Sequence, residues 1–106
     1  MLGVKVTILR YVSDDPQPGI VECQLNDAHH RLWLFLEKTA IVSQEHLDAR
    51  STYPKPGVIP CEVIARTRDV SGREMVKIDT RRPVSVESSE GATQFDIWPE
   101  SLVELE

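Results

Sequence analysis

Two cysteines and three histidines are the side chains in this sequence with the most specific chemistry. Cys23 and Cys61 stand in two similar segments, PQPGIVECQ at 16–24 and PKPGVIPCE at 54–62. In both segments a cysteine follows the glycine of a P-x-P-G motif by four residues. Two matched thiols and a histidine could hold a metal ion, and the thiols alone could form a redox pair. Neither cysteine belongs to a CxxC motif, so the other interpretation is that both fill matched core positions as small apolar groups.

The histidines do not have the spacing of a metal site. His29 and His30 are adjacent, and His46 follows at a distance. Adjacent residues of an extended strand point to opposite faces, so the first two do not easily bind one ion. The sequence has no HxxH or HExxH motif that would arrange ligands in advance. We therefore expect turn histidines, and no metal or other cofactor.

The motifs that enzymes of this size need are not visible. There is no GxSxG nucleophile motif and no glycine-rich phosphate loop before a helix. Carboxylates that are close in sequence, such as Asp14 with Asp15 and Glu87 with Glu90, lie in turn-like segments where nothing would separate their pKa values. We expect a protein without catalytic activity.

Aromatic residues give a more specific hypothesis. Trp33 and Phe35 share one face of a predicted strand, and Leu32, Leu34 and Leu36 share the other. If the aromatic face is exposed, it forms a patch of the kind that binds other proteins; if another element covers it, it is a second small core. The sequence favours the covered arrangement, but the interaction hypothesis depends on the exposed patch, bordered by acidic residues. The predicted binding residues are Trp33, Phe35, Glu87, Glu90, Trp98 and Glu100.

Charge is unevenly distributed along the chain, which carries a net charge of −5. Residues 66–82 have six basic and three acidic side chains, and residues 83–106 have six acidic and no basic ones. The two segments could neutralise each other in the fold. Otherwise the acidic segment would steer a basic protein partner to the molecule. The overall acidity disfavours nucleic acid, whose binding needs a basic face.

The leading functional hypothesis is a non-catalytic protein-interaction module, either an adaptor or an inhibitor of the immunity type. The alternative is a small-ligand or metal-binding domain that uses Cys23, Cys61 and a histidine. A third possibility is single-stranded nucleic-acid binding through the 66–82 hairpin, with aromatic rings that stack on bases.

Length and composition indicate one domain over residues 1–106, with 41 % hydrophobic and 27 % charged residues. The first residues do not resemble a secretory signal, and no segment has the roughly 18 apolar residues that span a bilayer. We expect a cytoplasmic protein with reduced thiols and no membrane partner.

Alternation of polar and apolar residues predicts a mostly β fold. The predicted strands are one around residues 4–8, one around 21–25, one over 31–42, a hairpin of 58–68 with 73–80, and one over 93–98. A short helix is predicted over 43–50, and Pro99 begins a cap that closes the core. Pro60 suggests a sheet edge or a bulge. About six such strands favour a small, partly open barrel, SH3-like or OB-like, over a two-layer α+β sheet.

Overall fold

The alternating segments form seven antiparallel strands in the computed structural model, which describes residues 1–105. The strands are β1 (Leu2–Ser13), β2 (Ile20–Asn26), β3 (Leu32–Lys38), β4 (Lys55–Arg68), β5 (Glu74–Asp79), β6 (Gln94–Ile97) and β7 (Leu102–Glu104). One α-helix, α1 (Thr39–Val42), follows β3, and a turn of 3-10 helix (Pro99–Ser101) precedes β7. Each strand occurs where the sequence alternates, except for β7, which was expected to be part of a cap.

The strand order is β3-β2-β1-β4-β5-β6, with β7 added beside the start of β1. The sheet bends because β4 changes partner: residues 55–61 pair with β1, and residues 62–68 pair with β5. The result is a curled half-barrel. The prediction of a small, partly open barrel is confirmed, and the two-layer alternative is wrong because a four-residue helix cannot form a layer. The assignment to an SH3-like or OB-like type stays a prediction.

The core lies inside the curl and is built from one face of each strand. Since side chains alternate between the two faces of a strand, the period of two in the sequence determines which residues enter. The inward residues of β1 and β2 are Val4, Val6, Ile8, Val21, Cys23 and Leu25. Those of β5 and β6 are Val76, Ile78, Phe95 and Ile97.

The helix lies before the segment where it was predicted. Residues 39–42 are helical, although the sequence predicts a strand there, and residues 43–50 form bends and turns instead of the predicted helix. Ser43 ends α1, where its N–H bonds to the Thr39 carbonyl at 3.0 Å. The Ser43 hydroxyl then accepts the Glu45 N–H, and the Asp48 carboxylate accepts the Arg50 N–H. Such side-chain bonds to the backbone compete with a helix, so the polar segment remains in turns.

Pro60 lies inside β4, opposite Gly3 of β1. The pairing of β4 with β5 begins only at Glu62, so the other side of β4 is unpaired at Pro60. A proline is tolerated in a strand at such an edge, because no ladder bond is needed there. Of the two explanations that the sequence leaves open, the edge is the correct one. The bulge in β4 lies farther along, between Val63 and Ala65.

Candidate interaction surface

Trp33 and Phe35 lie on the inner face of β3 and not on an exposed patch. Phe35 is 0 % exposed, and Trp33 is half-buried. Both rings meet the ring of Phe95 on β6 edge to face, with centroid distances of 5.1 Å from Trp33 and 5.7 Å from Phe35. These contacts join the two ends of the strand order and close the half-barrel. The hypothesis of an exposed aromatic patch is therefore corrected, since a fully buried Phe35 cannot touch a partner.

The exposed side of Trp33 is covered by Arg31. The guanidinium carbon lies 3.7 Å from the centroid of the indole ring. Arg31 in turn donates two hydrogen bonds to the Glu90 carboxylate, at 2.9 and 3.0 Å. Below them, the indole Nε1–H donates to the Asp27 carboxylate at 2.9 Å. The structure thus brings Trp33 and Glu90 together, as part of the closure of the half-barrel.

Trp98 and Glu100 form a second arrangement of the same kind. Arg73 lies over the ring of Trp98, 3.6 Å from its centroid, and makes an ion pair with Glu100. Glu87 is exposed and makes no ion pair within residues 1–105. The six residues predicted for binding therefore do not form one surface. Apart from the buried Phe35, their roles in binding stay untested predictions.

Basic and acidic segments pair with each other, as one of the two sequence interpretations expected. Within residues 1–105, two ion pairs join the 66–82 segment to the acidic segment, Arg73 with Glu100 and Lys77 with Asp96. Other basic side chains of the hairpin have local carboxylate partners, such as Arg81 with Asp79 at 3.2 Å. These pairs leave less positive charge available for nucleic acid than the sequence count indicates.

The two thiols are buried on opposite sides of β1. Cys23 lies opposite Ile8 on β2, and Cys61 lies opposite Leu2 on β4. These positions are six residues apart along β1, or roughly 20 Å at the usual rise per residue. In both of the similar segments, 16–24 and 54–62, the cysteine and the apolar residue two positions before it are buried. The predicted matched core positions are therefore confirmed. The alternative, a metal or redox site shared by the two thiols, is not supported by these separate positions.

A groove of about 630 Å³ lies between α1, the first half of β4, and β7. Its lining includes Ile41, Val58 and Leu105, and neither cysteine contributes to it. Within residues 1–105, no group of three or more cysteine, histidine, aspartate and glutamate side chains is arranged to hold a metal ion. The alternative hypothesis of a ligand site at Cys23 and Cys61 gains no support from either feature.

Native thiol labelling should be very slow for both cysteines. Burial raises the pKa of Cys23 to about 12 and that of Cys61 to about 11, so almost no reactive thiolate forms near neutral pH. We expect a maleimide or disulfide reagent to modify both thiols rapidly in denaturant and neither rapidly in buffer. A chelator should not change the native rate. Fast labelling of one thiol in the native protein would contradict this assignment.

His29 joins the turn between β2 and β3 to β6. Its Nε2 lies 2.9 Å from the Asp96 carboxylate, and the Ala28 N–H donates to the Asp96 carbonyl at 2.8 Å. Lys77 approaches the same carboxylate at 3.4 Å. The bond to Asp96 raises the pKa of His29, and the bond to His29, together with Lys77, lowers the pKa of Asp96.

Stability should therefore decrease slightly as the pH rises above 6.5 and through the raised pKa of His29. A raised histidine pKa stabilises the fold fully below the unfolded value of 6.5, and this contribution is lost as the pH rises through the folded value. Asp96 has the opposite effect in acid. Its contribution to stability is present above its unfolded pKa of 3.8 and is lost as the pH falls through the lowered pKa of the folded protein. Urea unfolding at pH 5.5 and pH 8.5 should show the first difference. His29→Gln should remove it and His30→Gln should not; equal effects of both substitutions would exclude His29 as the cause.

The exposed face of β3 is a row of leucines, which we call the leucine row: Leu32, Leu34 and Leu36. They are 54 %, 39 % and 52 % exposed. The neighbouring outward residues on β2 are polar, with Asn26 beside Leu32 and Gln24 beside Leu34. Sequence reasoning found both faces of this strand, but the interaction hypothesis placed the aromatic face in solvent, and the leucine face is exposed instead. Three exposed leucines in a row on one strand are typical of interaction surfaces more than of an ordinary solvated face.

The backbone edge beside the leucine row is also largely unpaired. The Arg31 carbonyl accepts the Asp27 N–H on the β2 side, so alternate residues from 31 onward turn their backbone groups toward β2. The backbone groups of the leucine row therefore point away from β2. This direction agrees with a bond from the Ser89 N–H to the Leu34 carbonyl, at 2.8 Å on the open side. Within residues 1–105, that carbonyl is the only backbone group of the leucine row that has a partner on the open side.

The chain matches no model of a protein family, no curated protein and no solved structure. The surface must therefore be interpreted from its own chemistry. Among residues 1–105, none of the helical segments is long and apolar enough to cross a bilayer.

Proposed function

We propose that this chain is a non-catalytic protein-interaction module that binds its partner at β3. The observation that carries the proposal is the backbone edge of β3 beside the leucine row, which is unpaired except for the Ser89 bond to Leu34. An extended segment can add to such an edge as a further strand, with main-chain hydrogen bonds for affinity and alternate side chains for specificity. The partner is therefore a protein with an extended segment in which apolar residues alternate.

Two carboxylates near the edge favour a basic residue in that partner. Glu37 lies on β3 itself, and Glu87 is two residues before Ser89, which touches the Leu34 carbonyl. Neither makes an ion pair within residues 1–105, whereas Glu90 and Glu100 are already neutralised by arginines. The role of an adaptor and that of an inhibitor of a basic protein are both compatible with this charge.

Binding is favoured over catalysis by the contacts of the less exposed carboxylates. Asp27 accepts two backbone N–H groups and one indole N–H, and Asp69 accepts the backbone N–H groups of Ser71 and Arg73. The hydrogen bonds of Asp69 lower its pKa, so that carboxylate is a poor proton carrier near neutral pH. These groups stabilise turns, and such an arrangement needs no reaction to explain it.

Two matched variants test the proposal. Leu34→Lys places a charge in the leucine row, and Ile64→Lys places the same charge on β4 at a residue that is 42 % exposed. Proteins captured by the tagged wild type would be purified and titrated against each variant. We expect Leu34→Lys to weaken the affinity at least about tenfold and Ile64→Lys to leave it nearly unchanged.

Hydrogen exchange provides the second measurement. Binding should slow exchange of the outward amides of Leu32, Leu34 and Leu36, because a partner strand would accept hydrogen bonds from them. Equal losses of affinity in the two lysine variants, or slowed exchange elsewhere and not on β3, would overturn the proposal.

A further inference from the structure

We propose that the partner bound at β3 is a second copy of this chain, whose own β3 pairs antiparallel with it about a two-fold axis through Leu34. The inference rests on the proposed function, because it names the occupant of the same surface. Most homodimers are closed by one such axis, which requires a surface that is complementary to itself. The edge of β3 meets that requirement in register, charge and apolar pattern.

The register follows from the outward backbone groups of the leucine row. With the axis through Leu34, this residue lies opposite the partner's Leu34, and Leu32 lies opposite the partner's Leu36. The backbone N–H and C=O groups of all three point to the open side of β3. The residues can therefore form hydrogen-bonded pairs of an antiparallel ladder, with up to about six new backbone bonds. The two leucine rows then form one continuous apolar band on the outer face of the joined sheet.

Charge complementarity supports the same register. Arg31 and Glu37 flank the leucine row at equal distances from Leu34, with opposite signs. Antiparallel pairing about Leu34 therefore places each Arg31 opposite the partner's Glu37, twice per dimer. Opposite charges that face each other across two strands stabilise their pairing, and like charges oppose it. An axis through Leu32 would instead place Leu34 opposite the partner's His30, and an axis through Leu36 would place it opposite Lys38.

One segment of the chain must move for the strands to pair. The tip at residues 89–91 touches the open edge through the Ser89 bond to Leu34 and through the Glu90 pair with Arg31. Val86 and Ser88 are buried and hold the base of this segment, while the tip residues are exposed. Displacing the tip breaks one backbone bond and one exposed ion pair, and the latter contributes little to stability. In the dimer, Arg31 exchanges Glu90 for the partner's Glu37.

Sedimentation of the wild type from about 1 µM to about 1 mM should show a concentration-dependent monomer–dimer equilibrium. Glu37→Arg should place like charges opposite each other in its homodimer, and so should Arg31→Glu. We expect each variant alone to dimerise at least about tenfold more weakly than the wild type. An equimolar mixture should form a heterodimer, because the two arginines of one variant then face the two glutamates of the other.

Two further variants separate edge pairing from other causes. Glu37→Gln removes the attraction without altering the contacts of Arg31 with Trp33, so it should weaken the dimer less than Glu37→Arg does. Leu36→Pro removes one outward N–H and leaves the hydrogen bonds to β2 intact, as prolines at sheet edges do. It should abolish dimers while circular dichroism and thermal unfolding show a folded protein. A proline variant that folds and dimerises like the wild type would exclude pairing through the β3 edge.

The inference is overturned if the wild type is monomeric throughout the concentration range, or if the charge-reversed pair does not associate. If the protein is monomeric but another purified protein binds it in a manner that is sensitive to Leu34→Lys, the second copy is excluded and the proposed function stands. If neither kind of association depends on β3, both are wrong.

Discussion

Replacement of Phe35 by alanine should lower the free energy of unfolding by about 3–5 kcal/mol. Phe35 is fully buried and meets the ring of Phe95 where β3 closes on β6. Removing the ring loses its burial and leaves a cavity at the closure. For a domain with roughly 5–15 kcal/mol of total stability, this loss is a large fraction. Urea unfolding followed by tryptophan fluorescence and circular dichroism measures it.

Leu36→Ala is the matched control for that experiment. Leu36 is the next residue of the same strand and is 52 % exposed on the opposite face. Its replacement should change the free energy of unfolding by about 0.5 kcal/mol or less, as is usual for exposed positions. Similar losses for both substitutions would mean that the inner and outer faces of β3 are assigned wrongly.

The second large effect is expected at Asp27: replacement by alanine should lower the free energy of unfolding by about 3 kcal/mol. Its carboxylate accepts the backbone N–H groups of His29 and Arg31 and the indole N–H of Trp33, at 2.8–2.9 Å. Without it, the buried end of the indole loses its acceptor, and the turn between β2 and β3 loses the bonds that fix its shape. An unsatisfied buried donor keeps its desolvation penalty, so the loss exceeds that of one ordinary hydrogen bond.

Asp27→Asn separates the two components of this effect. Its amide oxygen can still accept the two backbone N–H groups, but its NH₂ group would face the Trp33 indole N–H, donor against donor. We expect the free energy of unfolding of Asp27→Asn to lie between those of the wild type and Asp27→Ala, together with a shift in tryptophan emission. Asp15→Ala is the control, since Asp15 is exposed and its carboxylate makes no hydrogen bond or ion pair within residues 1–105. A loss at Asp15 as large as that at Asp27 would contradict the role of the carboxylate.

The sequence predicts the strands of this fold better than it predicts their surroundings. Alternation around Val4 to Ile8 and Val21 to Leu25 identifies both the strands and their inward faces, because polar residues fill the other positions. At Leu32 to Leu36 both faces are apolar, so periodicity alone cannot decide which one is buried. The decision depends on Phe95, which lies 60 residues after Phe35 and meets it only when the sheet curls.

The candidate site was harder to predict for the same reason. Glu90 and Glu100 were predicted to bind a partner protein, but each pairs with an arginine that is distant in sequence. The unpaired edge of β3 depends on the strand order and on where Ser89 lies, and neither follows from local composition. The leucines of β3 were visible in the sequence as a row, and the helical turn or the C-terminal cap was expected to cover the aromatic rings if they were buried; the ring of Phe95 contacts them instead.

The position of β1 has a consequence for how the chain folds. This first strand pairs with residues 20–24, 55–61 and 102–104. Most of its pairing therefore closes long loops, and loop closure must be completed before the contacts stabilise anything. A hairpin of β2 and β3 or of β4 and β5 can form early, but β1 acquires its full set of neighbours only after residues 102–104 have been synthesised. The pairings of β1 with β4 and β7 are thus the ones that join distant parts of the chain, whereas the other strands pair with their neighbours in sequence.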